Sequence, residues 1–369
     1  MTRLPVAVLA CALATGACGS STPTTPSPPT SAAPVELTHV TQTAEWPAST
    51  PADERMDTAM LTDLVNRINR REFGAINSLL IVRNERLVVE EYFNGWTSAG
   101  VHTQQSVSKS VTSLAAGLAV DRGQLRLTDR ATAFFPDYVP LRALDANKEA
   151  LTVRDLLMMR SGLDWSEQTY PGSPLQRLND CGCDWLRFVL DWPLREPPGS
   201  RWEYVSGGVI LLGGIIGRAT GQRMDRFLDE QLFAPLGVQG ARWIGGLPDG
   251  LPHTGGGLNL RPRDMAKLGS LVVNDGRWQG QQLMSAAWMR DSTQPMIQAG
   301  YTFAGRSTMY GYLWWGLPGD IVTASGARGQ WIFADRQRRM VVVSTAENDN
   351  AQSTAAVQFL YSHILPAAQ

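Results

Sequence analysis

The sequence has little lysine, histidine or cysteine and no excess of either charge. Only three of its 33 basic residues are lysine, and the 369 residues include four histidines and four cysteines. The net charge is −1, and no basic stripe, Walker loop or dinucleotide fingerprint occurs, so we expect neither nucleic-acid binding nor nucleotide chemistry. Hydrophobic residues make up 43% of the chain, which is enough to bury a large core.

The few cysteines and histidines also argue against a metal site. Cys181 and Cys183 are the only cysteines beyond the N-terminal segment, and no histidine lies near them in sequence. We therefore expect no metal and no other cofactor. The Cys-Gly-Cys spacing allows a small local disulfide, which we favour, and two free thiols are the alternative.

The G-x-S-x-G elbow of conventional serine hydrolases is absent, but a serine and a lysine stand at the start of an amphipathic helix. Ser106 precedes Lys109 by three residues, and residues with this spacing are neighbours on a helix. Lys109 can therefore hydrogen-bond the Ser106 hydroxyl, while the helix start favours negative charge there. This pairing can activate a serine without histidine. Because S-x-x-K fixes only two letters, a chance match is the alternative.

The first eighteen residues are typical of an export signal. A single arginine, Arg3, precedes an apolar run too short to anchor stably in a bilayer, and small residues before Cys18 suit cleavage. The segment resembles a bacterial lipoprotein signal, which implies a lipid on Cys18. Thr15 departs from the Leu, Val or Ile usual at its position, so ordinary secretion is the alternative. Residues 19–51, rich in Ser, Thr and Pro at their start, are predicted to tether the domain to the outer face of the cell membrane.

Hydrophobic periodicity predicts strands towards both ends of the folded chain and helices between them. Runs of residues that favour strands occupy 78–82 and 87–93 near the start, and 321–325, 330–334 and 340–345 near the end. We therefore predict an α+β fold, in which an antiparallel sheet built from both chain ends is flanked by helices and carries an inserted helical lobe.

The predicted domain organisation follows from this pattern. The folded domain is expected over residues 52–369. Its α/β lobe comprises about 52–150 and 290–369, and its helical lobe about 151–289.

Several short motifs follow one another in order along roughly residues 52–366. They are Ser106-Val107-Ser108-Lys109-Ser110, Leu127-Thr128-Asp129, Ser161-Gly162-Leu163-Asp164, Tyr204-Val205-Ser206, Gly256-Gly257-Leu258 and Asp264-Met265-Ala266-Lys267-Leu268. In order and spacing they resemble the serine β-lactamase and penicillin-recognising superfamily. The likeness is greatest to its class C-like branch of esterases, peptidases and 6-aminohexanoate-dimer hydrolases.

The resemblance implies roles for three residues. Ser106 matches the family's nucleophile, Lys109 its lysine and Tyr204 the tyrosine of its second motif. Lys109 is expected to favour the phenolate of Tyr204, so that the two residues share the proton of Ser106 as a coupled pair. Ser206 occupies the position that is Asn in class C β-lactamases and cannot present a carboxamide to a substrate.

The third motif of the family matches Ala324-Ser325-Gly326, followed by Ala327 and Arg328. This match implies that the Ala327 amide joins the Ser106 amide in an oxyanion hole. His253-Thr254-Gly255 spells the motif better, but its glycine-rich surroundings fit worse, so we interpret it as a decoy that packs in a loop or pocket rim. Arg328 is the candidate replacement for the missing Lys or His of this motif.

The resemblance therefore implies an exported serine hydrolase that forms an acyl-enzyme on Ser106. Because Ser206 and Ala324 replace groups that hold β-lactams, the expected substrates are esters, small amides or peptides rather than chiefly β-lactams. Two alternatives remain: a non-catalytic, penicillin-binding-like protein that binds a cell-wall ligand, and a true β-lactamase.

Overall fold

The computed structural model describes residues 35–167, 172–245 and 250–368. Cys18 and the predicted export signal lie outside the described residues. Within the described parts of the chain, none of the helices has the length and apolar character needed to cross a membrane.

An eight-stranded antiparallel sheet is the centre of the fold, and two small sheets accompany it. The strands are β1 Ile76–Arg83, β2 Arg86–Tyr92, β3 His102–Thr103, β4 Arg242–Trp243, β5 Leu258–Leu260, β6 Arg277–Trp278, β7 Gln281–Gln282, β8 Ile297–Phe303, β9 Arg306–Tyr310, β10 Trp315–Leu317, β11 Ile321–Gly326, β12 Gln330–Asp335 and β13 Met340–Ala346. The order in the large sheet is β2-β1-β13-β12-β11-β10-β9-β8.

Helices cover both faces of the large sheet and form the inserted lobe. They are α1 Thr58–Asn69, α2 Val107–Asp121, α3 Ala146–Ala150, α4 Val153–Leu157, α5 Pro174–Asp180, α6 Trp185–Leu190, α7 Ser206–Thr220, α8 Met224–Leu228, α9 Ala234–Leu236, α10 Pro262–Val273, α11 Ala286–Thr293, α12 Ala355–Phe359 and α13 Leu365–Ala367. Short 3₁₀ turns occupy Ala131–Phe134 and Pro136–Tyr138, and π-helical turns occupy Asp229–Phe233 and Leu360–Ile364.

The pairing of β1 with β13 joins the two ends of the chain. Ile81 pairs with Val342 in this antiparallel ladder, and every residue of both strands is buried. Strands that are buried along their whole length require cover on both faces, and helices supply it. One face packs against α1 and the C-terminal helices, and the other against α2 and α10. The predicted α+β fold with a sheet from both chain ends is confirmed.

Helix α7 forms the core of the inserted lobe and depends on glycine. A Cβ at Gly207 would lie 2.6 Å from the Trp165 ring, and one at Gly213 would lie 2.4 Å from Thr254. Glycine destabilises a helix interior by roughly 0.5–1 kcal/mol relative to alanine, but here it allows neighbours to pack directly against the backbone. The close packing brings the residues around Trp165 and Thr254 up to the start of α7.

Residues 35–51 pack against the domain, although the sequence assigned them to the tether. Trp46 is only 1% exposed and Val40 is also buried, because both are large apolar side chains that the core can accommodate. Leu87 of β2 exchanges backbone hydrogen bonds with this segment, donating to Pro47 and accepting from Ser49. The predicted boundary at residue 51 therefore falls inside the packed domain.

The sequence also missed one edge of the large sheet. Strands β8, β9 and β10 follow one another there, joined by short turns. A register shift between Gln298 and Thr302 interrupts the pairing of β8 with β9. Short strands with an irregular register do not show the regular alternation from which strands are predicted.

Candidate active site

Ser106 lies at the start of α2, directly after a strained turn. Gln105 has φ +48°, in the left-handed region that non-glycine residues rarely adopt. Ser106 occupies the N-cap position, yet its side chain makes no capping hydrogen bond. The hydroxyl is therefore available to the lysine one turn along the helix. Lys109 Nζ donates a hydrogen bond to Ser106 Oγ over 3.0 Å, as the spacing predicted.

The environment of Lys109 changes the chemistry of its amine. The side chain is only 2% exposed, and its Nζ also donates to the Gly255 carbonyl oxygen over 2.6 Å. Burial lowers the pKa of Lys109 from 10.5 to about 8, and the negative charge of Glu167 opposes the shift only in part. A lysine with such a pKa can accept and return a proton near neutral pH.

Tyr204 completes the group around the serine. Its hydroxyl hydrogen-bonds the Ser106 side chain, and Lys109 Nζ lies 4.8 Å from the centroid of its ring. Burial raises the pKa of the Tyr204 phenol well above 10, and the hydrogen bond to Ser106 does not compensate. We expected Lys109 to favour the phenolate, but the ammonium lies over the ring face. Burial thus raises the pKa of the Tyr204 phenol and lowers the pKa of Lys109, and both shifts favour the amine as the group of the pair that loses a proton more readily.

Ser206 is the first residue of α7 and is held by a carboxylate that the sequence did not single out. Its backbone N–H and its hydroxyl both donate to the side chain of Glu167, the hydroxyl over 3.0 Å. Trp165 Nε1 donates to the same carboxylate over 2.9 Å. Glu167 follows the Ser161-Gly162-Leu163-Asp164 motif by three residues, but nothing in that spacing indicates its contacts.

The third-motif candidate lies in β11, between β10 and β12. A Cβ on Gly326 would lie 2.3 Å from the Gln104 carbonyl oxygen, so glycine alone allows the strand end to approach the turn before Ser106. Ser325 is half-buried, and Ala327 and Arg328 are exposed in the turn that follows. Among the described residues, the Arg328 guanidinium has no hydrogen bond or ion pair.

The rival motif, His253-Thr254-Gly255, lies in a turn beside α2 and not in the large sheet. Its Gly255 carbonyl holds Lys109, a contact that sequence reasoning missed. The His253 ring packs edge-on against Trp185, with centroids 5.2 Å apart. Burial and the nearby charge of Lys109 lower the pKa of His253 to about 4, so the imidazole is neutral at pH 7.

An aromatic cluster borders Tyr204 on the side of β8 to β10. Trp315 stacks on Tyr204 with ring centroids 5.8 Å apart, and it meets Tyr310 edge-on at 4.7 Å. A cavity of about 180 Å³ opens here, and Trp202, Tyr204 and Tyr301 are among its walls. The carboxylates of Glu167 and Glu203 also line it, and Tyr204 connects it to the nucleophile through the hydrogen bond with Ser106.

A larger cleft of about 810 Å³ lies elsewhere, near the end of α11 and strands β9 to β11. Its walls include Arg290, Met309, Val322 and Arg336. Ser106, Lys109 and Tyr204 do not contribute to it. We place the chemistry beside the smaller cavity, because Tyr204 lines it and a reaction site must lie within reach of the nucleophile and its proton carriers.

Two further features bear on the sequence analysis, namely the two cysteines of the folded domain and the side chains that could bind a metal. The structure joins Cys181 and Cys183 by a disulfide at the end of α5, where Cys181 is exposed. In the parts of the chain that the structure describes, no three His, Cys, Asp or Glu side chains are grouped so that they could hold a metal ion.

Comparison with known proteins adds independent information. The family described as Beta-lactamase matches residues 77–359. A 6-aminohexanoate-dimer hydrolase from Paenarthrobacter ureafaciens is 24% identical over 314 residues, which cover 80% of this chain and 79% of that protein. Esterase EstB from Burkholderia gladioli is 33% identical over 171 residues, or 43% of each chain.

Solved structures show the same fold. A putative 6-aminohexanoate-dimer hydrolase from Bacillus anthracis superposes with a TM-score of 0.71, at 19% identity, over 88% of this chain and 89% of that one.

Proposed function

This chain belongs to the beta-lactamase family, as its motifs predicted, and from that premise we propose that it hydrolyses esters or small amides through an acyl-enzyme on Ser106. It is a serine hydrolase of that family. The observation that carries the proposal is the 3.0 Å hydrogen bond from the buried amine of Lys109 to Ser106 Oγ, with the Tyr204 hydroxyl on the same oxygen.

The first half of the reaction transfers the acyl group to the serine. Unprotonated Lys109 accepts the proton of Ser106 Oγ as that oxygen attacks the substrate carbonyl. The bond from the carbonyl carbon to the leaving group then breaks. Tyr204 protonates the departing oxygen or nitrogen and recovers a proton from Lys109, which leaves both residues as they began.

The second half of the reaction hydrolyses the acyl-enzyme and regenerates the Ser106 hydroxyl. A water molecule attacks the acyl carbon and passes a proton to Lys109, which gives a second tetrahedral intermediate. The intermediate collapses, the bond to Ser106 Oγ breaks, and protonated Lys109 returns its proton to that oxygen. The products are a carboxylic acid and the alcohol or amine released earlier. Amides of Ser106 and Ala327 are proposed to stabilise the oxyanion in both halves.

The preference for esters and small amides over β-lactams rests on two side chains. The Ser206 hydroxyl is bound to Glu167, so it cannot replace the carboxamide expected at this position. Ala324 is fully buried and offers no cation. The loss of one charge-assisted contact reduces binding or rate by roughly ten- to hundredfold, and the penalty applies to anionic β-lactams more than to neutral esters.

Labelling and kinetics test the catalytic proposal. Intact-mass measurement after treatment with a fluorophosphonate should show one adduct on the wild-type protein and none on Ser106→Ala. Tyr204→Phe should lose most turnover of a p-nitrophenyl ester. An unlabelled wild-type protein would instead favour the non-catalytic binding protein, and Ser106→Ala with normal turnover would overturn the assignment of the nucleophile.

Substrate preference needs its own measurement. The ratio of kcat/KM for a p-nitrophenyl ester to that for a chromogenic cephalosporin should exceed one. A cephalosporin value around 10⁷ M⁻¹s⁻¹ or above would make the chain a true β-lactamase and would assign the missing anchor to Arg328 or another group.

We also propose that the chain is exported and lipidated on Cys18, which would hold the domain to the outer face of the cell membrane. The proposal is supported by the apolar N-terminal run and the Ser, Thr and Pro after it. In a bacterial host the protein should fractionate with membranes, and Cys18→Ala should release it. A soluble wild-type protein with an unmodified terminus would establish plain secretion instead.

A further inference from the structure

Glu167 is a carboxylate at the edge of the active site that the proposed reaction does not use. It belongs to the loop between α4 and α5, and its side chain is half-buried. Three donors point at it: the indole N–H of Trp165 and both the N–H and the hydroxyl of Ser206. A carboxylate held by three donors has a fixed position, and here that position is the N-terminal end of α7.

The N-terminal end of α7 positions the catalytic tyrosine. Tyr204 lies two residues before Ser206, and Val205, the N-cap residue of α7, has no side-chain oxygen to cap the helix. Glu167 supplies the missing acceptor from another part of the chain. A negative charge at a helix N-terminus is favourable, so the contact stabilises both the helix start and the backbone that carries Tyr204.

The charge of Glu167 also acts on the proton carriers. It raises the pKa of Lys109 and Tyr204 relative to a site without it, in each case after the larger effect of burial. The groups that face the same site from other elements are His253, Tyr301 and Tyr310, with Arg201 and Glu203 paired at the rim. His253 is neutral above about pH 5, since its pKa is about 4. Within the described ranges Glu167 has no cationic partner, and its negative charge is the one that acts on Lys109.

We propose that Glu167 is a positioning residue, which fixes Ser206 and the start of α7 and balances the positive charge of Lys109 before the serine is deprotonated. The inference rests on the proposed function of Ser106, Lys109 and Tyr204. In the part of the chain that the structure describes, Glu167 has no hydrogen bond to Ser106 Oγ, and it acts through Ser206 and Lys109.

The proposal predicts a change in pH dependence whose sign does not depend on which residue carries the proton. Loss of the Glu167 charge removes a stabiliser of the Lys109 ammonium and a destabiliser of the Tyr204 phenolate. Both changes make the coupled pair lose its first proton at lower pH. A residue with a merely structural role would reduce activity or stability but would leave the pH profile in place.

Three variants separate charge from shape. Glu167→Gln keeps the size and one oxygen acceptor but removes the charge, and Glu167→Asp keeps the charge on a shorter side chain. Glu203→Gln is the matched control, because Glu203 borders the same cavity but is paired with Arg195 and Arg201. Each variant is compared with wild type by thermal unfolding and by the pH profile of kcat/KM for a p-nitrophenyl ester.

We expect the acidic limb of Glu167→Gln to move to lower pH by about one unit, with the plateau of kcat/KM reduced by less than about tenfold. The limb of Glu167→Asp and of Glu203→Gln should stay at the wild-type pH. If Glu167→Gln does not fold, Glu167→Ala carries the same test, since it also removes the charge. An unmoved limb in the charge-free variants, or an equal shift in Glu203→Gln, would overturn the proposal. If Ser106→Ala is inactive but the acidic limb of Glu167→Gln does not move, the role of Glu167 is refuted and the proposed function stands. If Ser106→Ala is active, the proposed function itself is refuted.

Discussion

Two buried lysines, Lys109 on α2 and Lys267 on α10, have the same local geometry and different surroundings. Each stands three residues after a polar side chain, Ser106 or Asp264, and each is at most 2% exposed. Lys267 binds two carboxylates, Asp264 at 3.1 Å and Glu45 at 3.5 Å. Lys109 hydrogen-bonds a hydroxyl and a carbonyl, and no carboxylate of the described residues binds its amine.

The difference shows how the partners of a buried lysine control its pKa, and Lys148, whose amine binds only carbonyl oxygens among the described residues, follows the same pattern with a pKa lowered to about 8. A carboxylate partner keeps an ammonium charged and makes it part of the structure, while neutral partners leave the proton weakly held. The lowered pKa of Lys109, about 8 against 10.5, corresponds to about 3 kcal/mol that works against folding at pH 7. The fold therefore tolerates an unfavourable buried amine at Lys109, the residue that hydrogen-bonds Ser106.

The largest effect is expected from Lys109→Met, which removes the amine and keeps an apolar side chain of similar length. Turnover of a p-nitrophenyl ester should fall about a thousandfold, since Ser106 loses its base. The free energy of unfolding should change by less than about 1 kcal/mol, because relief of the buried charge offsets the lost hydrogen bonds. Urea unfolding and steady-state kinetics measure both. A variant with most of its activity would show that Lys109 is not the base.

Lys267→Met is the reciprocal change and should reduce stability rather than activity. It leaves Asp264, which is fully buried, and Glu45 without their shared ammonium, although Arg261 still binds both. We expect a loss of about 3 kcal/mol in unfolding free energy. The kcat per fluorophosphonate-reactive site should stay near wild type at 20 °C. A large fall in kcat with unchanged stability would contradict the distinction between the two lysines.

The contacts of these residues also explain which parts of the site could be predicted from the sequence. Ser106 and Lys109 could be predicted because their contact lies within one helical turn and depends only on spacing. Glu167 and the Gly255 carbonyl could not, because each reaches the site from a distant part of the chain. The tether was predicted too long because Ser, Thr and Pro dominate its composition and hide Trp46, whose burial depends on a pocket made by other segments.

Strand predictions show the same limit. The strands β11 to β13 and the hairpin of β1 and β2 are rich in residues that favour strands, so the sequence predicts them and the fold class together. Strands β8 to β10 are held by neighbours in the sheet and by the cluster around Trp315, contacts that no local window contains. The disulfide between Cys181 and Cys183, like the serine and lysine, lies within one short stretch of the chain and was expected.

The pH dependence of the wild-type enzyme is the next effect in size. With Lys109 as the base and a pKa of about 8, kcat/KM should fall tenfold per pH unit below that value, or about a hundredfold from the plateau to pH 6. No opposing limb is expected below pH 10, because the pKa of Tyr204 is raised well above its ordinary value. A flat profile between pH 6 and 8 would show that the proton leaves another group.

The smallest effect concerns Glu45, which joins the N-terminal segment 35–51 to Arg261 and Lys267 of the domain. Burial raises the pKa of Glu45, but the hydrogen bond from Arg261 and the charge of Lys267 outweigh it, and the pKa lies below 4.5. The carboxylate therefore stabilises the fold above that pH, and the contribution disappears as pH falls through the lowered pKa.

Glu45→Gln should reduce the free energy of unfolding by about 1–2 kcal/mol at pH 7, with a smaller difference from wild type at pH 4 and below. Glu36→Gln is the matched control, because Glu36 is an exposed carboxylate of the same segment and its loss should change stability by less than about 0.5 kcal/mol. Urea unfolding at both pH values measures the differences. If the two variants are equally stable at pH 7, the ion pairs of Glu45 do not hold the segment, and the packing of Trp46 alone fastens it to the domain.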